Sequence, residues 1–394
     1  MAMRVEDNKL LEVAEVIMEK GLSGMPTVME IILNEAMRIE RERHLNASMY
    51  ERTDERTGYA NGYKPKTLKT SVGALTLSVP QTRDGEFYPS FLEKGIRSER
   101  ALKIAMAEMY IKGVSTRKVS SILEELCGFQ VTSDEVSRAS KLLDEEFSTW
   151  RNRPIGKIMY LYLDARYEKI RVAGSVIDHA VLIAYGVDEK GTRKVLGVSI
   201  SLSEAETHWR NFLESLVERG LHGLTLITSD AHSGLKAALK SVFPSVPWQR
   251  CQFHLQQNAQ SYVPLQSMKK EVASDIRAIF DAPNRNEADR LLKMTLRKYE
   301  DKSSQLSEWL EVNIPEGLTV FSFNQTHQKK IRTTNMPERV NREVKRRTNV
   351  VSIFPSEESC LRLVTGVLVE ISEGWETGGK YLSIAIPRTV FMLQ

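Results

Sequence analysis

The segment from residue 157 to residue 253 constrains the fold more than any other part of the sequence. It begins with four runs rich in apolar and β-branched residues, at 157–164, 167–173, 179–187 and 193–200. These are followed by a helix pattern at 203–220, a strand pattern at 224–230, a helix pattern at 232–243 and an apolar stretch around 246–253. Successive strands followed by alternating helices and strands predict an α/β layer built on a mixed sheet.

Two aspartates end strand-like runs of this segment. Asp164 closes KIMYLYLDA, and Asp230 closes LTLITSD. The order of elements is that of an RNase H-like core, in which the first and fourth strands lie side by side, so carboxylates at their ends would converge. Aspartate is also common in the turns that end strands, which would explain either residue alone. Two of them on two strands of one sheet are better explained as shared metal ligands.

A third carboxylate, Glu338, lies in the basic helix pattern TTNMPERVNREVKRRT. Divalent ions prefer hard oxygen ligands, and a two-metal phosphoryl-transfer site needs carboxylates from several elements. The sequence therefore predicts that Asp164, Asp230 and Glu338 are catalytic and bind Mg²⁺ or Mn²⁺, as two ions.

Glu338 has one alternative role and one rival. If Asn335 caps the helix, Glu338 takes the third helical position, where glutamate completes a capping box. The rival acid, Glu343, lies five residues on and so roughly 140° around the helix. We favour Glu338, because the predicted helix places three polar or basic residues on its face: Asn341, Arg342 and Lys345.

Positive charge is concentrated around this helix. The whole chain has 55 basic and 51 acidic residues, a net charge of only +4. A nucleic-acid role must therefore depend on where the positive charges lie. The stretch 329–347 holds eight basic residues and two glutamates. Its predicted DNA-binding residues are Arg339, Arg342, Lys345 and Arg346. A solvated helix face is the simpler alternative.

The N-terminal part is predicted to be mostly helical. Residues 1–50 contain two helix patterns separated by GLSGMP and form a candidate dimerisation segment. Residues 51–96 are predicted to hold an extended loop at 51–66 and a hairpin at 68–82, with possible DNA contact.

Residues 97–150 predict three helices whose last two follow Ser or Thr caps. This arrangement is typical of a helix-turn-helix domain, although any small three-helix bundle gives the same pattern. The candidate reading helix is Ser133 to Leu143. Its predicted DNA-binding residues, together with those of the preceding helix, are Arg117, Lys118, Arg138 and Lys141.

A linker is predicted at residues 152–154, where the pattern changes from helix to strand. The first part of the core would then occupy 155–256. Helical periodicity replaces the strand pattern at 257–326, which predicts an all-α insertion. The last part of the core and the C-terminal helices would occupy 327–394.

Cys251 and His254 form a Cys-x-x-His pair. A structural zinc ion needs four ligands, and no second pair has suitable spacing. The pair is therefore expected to pack near the metal site or to bond locally. Three cysteines far apart in sequence make a disulfide framework improbable and favour a reducing compartment. No run reaches the apolar length of a membrane helix, so a cytoplasmic protein is expected.

Several motifs in consistent order resemble the IS256 family of bacterial transposases, relatives of the Mutator-like elements. The motifs are GVSTRKV, WRNRP, DARYEKIR, SDAHSGLKAAL, QRCQFHL, TTNMPERVNREVKRRT and FPSEES, within about residues 8–375. The resemblance implies an Asp-Asp-Glu triad on an RNase H-like fold with a helical insertion, falling here on Asp164, Asp230 and Glu338.

The resemblance further implies an enzyme that binds the terminal inverted repeats of an insertion sequence and then cleaves and transfers DNA strands. Its partners would be double-stranded DNA and a second copy of the chain in a homodimer. Two alternatives remain open at this point. One is a catalytically inactive DNA-binding repressor derived from a transposase, and the other is an RNase H-like nuclease without strand transfer.

Overall fold

The computed structural model describes residues 3–92 and 98–383. The chain forms two compact units that divide between Leu143 and Asp144. The linker predicted at 152–154 lies instead inside the second unit, at the end of a helix and just before the first strand of the large sheet. Each unit is described by itself.

The first unit begins with two helices and a hairpin. Helices α1 (Met3–Lys20) and α2 (Met25–Leu45) are separated by a 3₁₀ turn at Gly21–Gly24, where the sequence predicted a break. Strands β1 (Ala60–Thr70) and β2 (Gly73–Thr82) pair in an antiparallel hairpin. Alternate apolar residues of β2 pack against α2.

The predicted loop at 51–66 is wrong from residue 60 onward, because β1 begins at Ala60. The first part of β1 is exposed and polar, so it lacks the alternation of apolar and polar residues that identifies a half-buried strand. Its pairing with β2 forms the strand.

Three further helices complete the first unit: α3 (Arg100–Ile111), α4 (Thr116–Cys127) and α5 (Ser133–Ser140). The predicted caps are confirmed, since Ser115 caps α4 and Thr132 forms a capping box with Glu135. The candidate reading helix is shorter than predicted, because a 3₁₀ turn replaces the α-helix from Lys141 to Leu143. The four predicted DNA-binding side chains of this region are exposed: Arg117, Lys118, Arg138 and Lys141.

The second unit is built on a five-stranded mixed sheet. Helix α6 (Asp144–Asn152) precedes its strands, which are β3 (Ile158–Val172), β4 (Ser175–Asp188), β5 (Arg193–Ser201), β6 (Leu226–Ser229) and β7 (Trp248–Arg250). Their order is β5-β4-β3-β6-β7. The first three strands pair antiparallel, whereas β6 runs parallel to both β3 and β7. The predicted mixed sheet is therefore confirmed, and its first and fourth strands, β3 and β6, are neighbours.

Helices α7 (Glu206–Glu218) and α8 (Ser233–Val242) cover one face of this sheet. Trp209 and Leu213 of α7 pack in one buried cluster with Leu161 and Leu163 of β3. Because side chains alternate across a strand, Tyr162 and Asp164 face the opposite side.

Asp164 does not end its strand, which corrects the prediction. The two predicted strands at 157–164 and 167–173 are one continuous strand, β3. Strand β4 pairs with it along its whole length, with Ile183 opposite Asp164. The chain reverses only at Ala173 and Gly174, which both have positive φ.

The helices after β7 form two groups. Four of them build an apolar cluster of their own: α9 (Gln252–Ala259), α10 (Lys269–Phe280), α11 (Arg285–Glu300) and α12 (Ser304–Asn313). Helix α13 (Gln325–Ile331) follows this cluster in the chain. Helices α14 (Asn335–Thr348) and α15 (Glu357–Glu376) return to the sheet and contact β3 and β5. In the described part of the chain, no helix is long and apolar enough to cross a membrane.

Candidate active site

The structure brings Asp164 and Asp230 to the same level of the sheet. In the parallel pairing of β3 with β6, Tyr162 lies level with Thr228. Asp164 lies two residues after Tyr162, and Asp230 lies two residues after Thr228. Adjacent strands are about 4.8 Å apart, so the two carboxylates are close neighbours where β6 ends.

In the described part of the chain, no arginine or lysine forms an ion pair with either aspartate, and the positive charge that acts on both is that of His254. Asp164 accepts hydrogen bonds from the Ala165 amide at 3.1 Å and from the Asn341 side chain at 2.5 Å. Asp230 accepts one from the Ala231 amide at 2.7 Å. The pKa of Asp164 is raised to about 6, mainly by burial and to a smaller extent by the charge of Asp230, against the opposing charge of His254. Two ionised carboxylates this close repel each other, so a cation bound between them would favour their ionised form.

Glu338 is not a capping residue, so that alternative is wrong. The residue at the N-cap position of α14 is Thr334, whose side chain makes no capping hydrogen bond, and Asn335 is the first helical residue. The Glu338 amide bonds to the Thr334 carbonyl at 2.9 Å as part of the helix. The helix therefore starts one residue earlier than predicted, which moves Glu338 out of the capping-box position.

The Glu338 side chain has an unsatisfied oxygen. Its Oε1 is buried and has no hydrogen-bond partner among the residues that the structure describes. Burial raises the pKa of this carboxyl, and the charges of His254 and Arg342 oppose that shift. A buried polar atom without a partner is uncommon and often marks an ion-binding site or a catalytic role. This oxygen fits a metal ligand.

Glu343, the rival acid, is engaged in ion pairs. It lies 2.6 Å from Arg346 and 2.9 Å from Arg347. The hydrogen bond from Arg346 is the largest of the effects that lower its pKa to about 2. Arg347 also lies 3.3 Å from Glu370 of α15. Glu343 therefore helps to fasten α14 to α15.

Asn341 fastens α14 to β3. Its side chain donates the hydrogen bond to Asp164, and its backbone carbonyl accepts one from Arg166 at 2.7 Å. Arg166 also pairs with Glu168 at 2.6 Å. Arg166 was not among the residues selected from the sequence, because its partner is a main-chain carbonyl that has no sequence signal. Asn341 lies one helical turn from Glu338, so these bonds set the height of Glu338 above the sheet.

A short segment before α14, residues 330–334, is held by bonds from several elements. The Tyr162 hydroxyl of β3 donates to the Lys330 carbonyl at 3.1 Å, and the Thr228 hydroxyl of β6 donates to the Ile331 carbonyl at 2.8 Å. The Gln252 amide donates to the Arg332 carbonyl at 3.0 Å. The start of α14 is thereby tied to both strands that carry the aspartates.

Cys251 belongs to the same set of contacts. It is fully buried, and its sulfur lies 3.1 Å from the Thr334 hydroxyl. Its amide donates to the Ser229 carbonyl at 2.8 Å, next to Asp230. Cys251 therefore connects the end of β6 with the start of α14, which is a packing and hydrogen-bonding role.

His254 lies among the three carboxylates. Burial disfavours its charged form, but hydrogen bonding to Cys251 and the charges of Asp230 and Asp164 raise its pKa to about 9. Its charge also lowers the pKa of Glu338, more than the charge of Arg342 does. Within residues 3–92 and 98–383, no three His, Cys, Asp or Glu side chains are placed to hold one metal ion as they stand. His254 interacts electrostatically with all three carboxylates.

The predicted basic residues of α14 differ in availability. Arg339, Arg342 and Lys345 are exposed and make no ion pair in the part of the chain that is described. Arg346 is exposed but paired with Glu343. The first three are therefore the free cations beside the candidate site.

Comparison with known proteins identifies the family. A family model described as "Transposase, Mutator family" matches residues 1–378. The chain belongs to the Mutator family of transposases. The resemblance seen in the sequence motifs is therefore confirmed.

Curated relatives match over nearly their whole length. The transposase for insertion sequence element IS406 of Burkholderia multivorans is 53% identical over 97% of this chain and 99% of the relative. The transposase for ISRM5 of Rhizobium meliloti is 42% identical over 92% of this chain and 91% of the relative. The transposase for IS256 in transposon Tn4001 of Staphylococcus aureus is 36% identical, over 88% and 90%.

Proposed function

We propose that this chain is a DNA transposase that cleaves and transfers DNA strands at Asp164, Asp230 and Glu338. The observation that carries this assignment is the pair of level aspartates on β3 and β6, with Glu338 held above them by the bond from Asn341 to Asp164. The strand order β5-β4-β3-β6-β7, with helices after the third, fourth and fifth strands, supports an RNase H-like core.

The donor set suits Mg²⁺ or Mn²⁺, because it consists of carboxylates and includes the unpartnered Glu338 oxygen. Asp164, Asp230 and Glu338 would hold two ions. Such ions supply Lewis acidity that activates an attacking water or 3′-hydroxyl and stabilises the leaving oxygen of a phosphodiester. Within residues 3–92 and 98–383 these carboxylates are not placed to hold one ion as they stand, so binding requires them to move closer together. The pKa of His254, raised to about 9, keeps a positive charge near Asp164 and Asp230 that a bound cation would replace.

The chain's own residues position the DNA. The exposed side chains of Arg339, Arg342 and Lys345 lie on the helix that carries Glu338 and can bind phosphate oxygens. Tyr162, Thr228 and Cys251 hold the start of that helix in place through residues 330–334. These bonds fix the start of α14 beside the carboxylates. The three exposed basic residues make the surface of the same helix positively charged.

Recognition of terminal inverted repeats is assigned to α3, α4 and α5, arranged as a helix-turn-helix with α5 in the major groove. Both α4 and α5 start at side-chain caps and expose basic residues. The relatives named above are transposases for insertion sequences, which favours such DNA as substrate. A homodimer, with one subunit for each end of the element, completes the proposal.

Incubation of the purified chain with DNA carrying the flanking repeats of its own reading frame tests the function. We expect 3′-hydroxyl ends and products joined to a second DNA with Mg²⁺ or Mn²⁺, and neither with a chelator. Cleavage without joining would indicate a nuclease. Binding of the repeats without any cleavage, at all metal concentrations, would indicate a repressor.

Substitutions in the full chain test the proposed recognition helix. Arg138→Ala is expected to cost roughly 1–3 kcal/mol on repeat DNA and to reduce the preference over scrambled DNA. Lys118→Ala, as a phosphate contact, should weaken binding to both DNAs equally and lower the salt dependence. Both affinities are measured by mobility shift at fixed salt. Unchanged preference in Arg138→Ala would move recognition to the hairpin of β1 and β2.

A further inference from the structure

A polar cavity lies beyond β5, the edge strand of the large sheet. Its volume is about 330 Å³, it is open to solvent on one side, and it is lined by the end of α6, the end of β5 and one side of α7. The lining residues that matter here are Arg151, Asn152, Ser199, His208, Asn211 and Arg219. Strands β4 and β3 separate the β5 cavity from Asp230, so it is distinct from the carboxylate site by at least two strand spacings, about 10 Å.

The β5 cavity contains arginines but no carboxylate among its lining residues. In the described part of the chain, neither Arg151 nor Arg219 lies within 4.0 Å of a carboxylate oxygen. Burial lowers the pKa of Arg151 against the opposing charge of Asp144, and burial with the nearby charge of Arg153 lowers the pKa of Arg219 to about 10. Asp144 is itself paired with Arg362. Partly buried positive charges without a directly bonded carboxylate are costly, so an anion would be favoured there.

The guanidinium groups are held in place and keep donors free. Arg219 donates from Nε at 3.0 Å and from Nη2 at 2.8 Å to the Arg153 carbonyl, which leaves Nη1. A Cβ at Gly197 would lie 3.3 Å from that Nη1, so the glycine allows Arg219 to approach β5 closely. Arg151 donates from Nη1 to the Thr365 hydroxyl at 3.2 Å and keeps Nη2.

Neutral donors surround the arginines. Asn211 is exposed and lines the cavity. In the described part of the chain β5 pairs with β4 alone, so alternate amides on its outer edge have no strand partner there. Fixed guanidinium forks and amide donors match the oxygens of a phosphate. The volume exceeds that of one phosphate and falls in the range of small-ligand sites, which fits a phosphate attached to a sugar.

We propose that the β5 cavity binds a nucleotide phosphate group, supplied either by a DNA strand or by a free nucleotide. The first source rests on the proposed transposase function, whereas the second does not. In the DNA-bound case, the cavity is a second anchor for the strand, apart from the carboxylates.

Calorimetric titration of the full-length protein with dAMP, deoxyadenosine and inorganic phosphate tests the free-nucleotide source. We expect dAMP to bind and deoxyadenosine not to bind. Loss of one charged hydrogen-bond donor in Arg151→Gln should weaken dAMP about tenfold. Asn211→Ala should weaken it to a smaller extent. Arg210→Gln is the matched control, because Arg210 lies on the same helix, is paired with Glu206 and does not line the cavity.

The DNA source is tested with the same variants by measuring DNA affinity against salt concentration. Loss of one phosphate contact in Arg151→Gln should reduce the log–log slope by about 1 on both repeat and scrambled DNA, with no change in Arg210→Gln. A changed slope without dAMP binding assigns the cavity to a DNA strand, and dAMP binding without a changed slope assigns it to a free nucleotide.

The proposal would be overturned if neither Arg151→Gln nor Asn211→Ala weakened dAMP binding and the salt slope of DNA binding were also unchanged. Thermal unfolding of each variant shows whether it is folded. If Arg151→Gln does not fold, dAMP binding by Asn211→Ala still tests the proposal. Cavity-dependent dAMP binding in a chain that never cleaves DNA would refute the proposed transposase function alone.

Discussion

Asp164→Asn is expected to abolish DNA cleavage, by more than about 100-fold, while DNA binding stays intact. Asparagine keeps the shape of the side chain but removes the charge that a divalent ion requires. Burial already raises the pKa of Asp164 to about 6, so the neutral side chain should not lower the melting temperature near pH 7 and is expected to raise it slightly. Cleavage is measured on a labelled repeat substrate, and binding is measured by mobility shift.

Asp164→Asn is expected to raise the melting temperature because the pKa of Asp164 is raised in the folded protein. A carboxyl whose folded pKa lies above its unfolded value destabilises the fold as pH rises through the unfolded and then the folded pKa. Asp178→Asn, at an exposed position of the neighbouring strand β4, is the matched control and should keep full activity. Near-normal cleavage by Asp164→Asn would exclude Asp164 as a ligand.

Glu338→Gln and Glu343→Gln are expected to have opposite effects on rate and stability. Glu338→Gln removes a negative ligand oxygen, so strand transfer should fall by orders of magnitude with no loss of melting temperature. Glu343→Gln breaks ion pairs to Arg346 and Arg347, so it should cost about 0.2–1 kcal/mol of stability and leave the rate within a few-fold.

Strand-transfer rates and thermal melts of the two variants, measured side by side, provide the test. An inactive Glu343→Gln with an active Glu338→Gln would reverse the assignment. Because both residues lie on α14 and both changes are Glu to Gln, each variant controls for the other.

The sequence predicted the sheet well because its strands carry long apolar runs. The mixed order and the adjacency of β3 and β6 follow from those runs and from the helices between them. The interior position of Asp164 was not predictable, since it depends on β4 pairing with β3 past the point where the apolar run stops. Local residues cannot show where a partner strand will end.

The start of α14 was misplaced by one residue for a similar reason. Asn335 is the better cap by composition, yet the structure places Thr334 there, where its hydroxyl meets Cys251 instead of the helix. Likewise, the carbonyls of residues 330–332 accept hydrogen bonds from Tyr162, Thr228 and Gln252, and main-chain acceptors are identical in every residue. The position of Glu338 relative to the aspartates therefore depends on tertiary contacts, which local sequence does not reveal.

The 108-residue interval between Asp230 and Glu338 delays completion of the candidate site during synthesis on the ribosome. The two aspartates emerge first, and the helices from α9 to α13 must follow before Arg332 and Thr334 can bond to residues 252 and 251 and α14 can begin. Translation at roughly 5–20 residues per second makes that delay about 5–20 s. A chain that ends within this interval contains α3, α4 and α5 and both aspartates but not Glu338. Under the proposed function, such a chain would carry the DNA-binding residues without the complete carboxylate set and would be unable to cleave DNA.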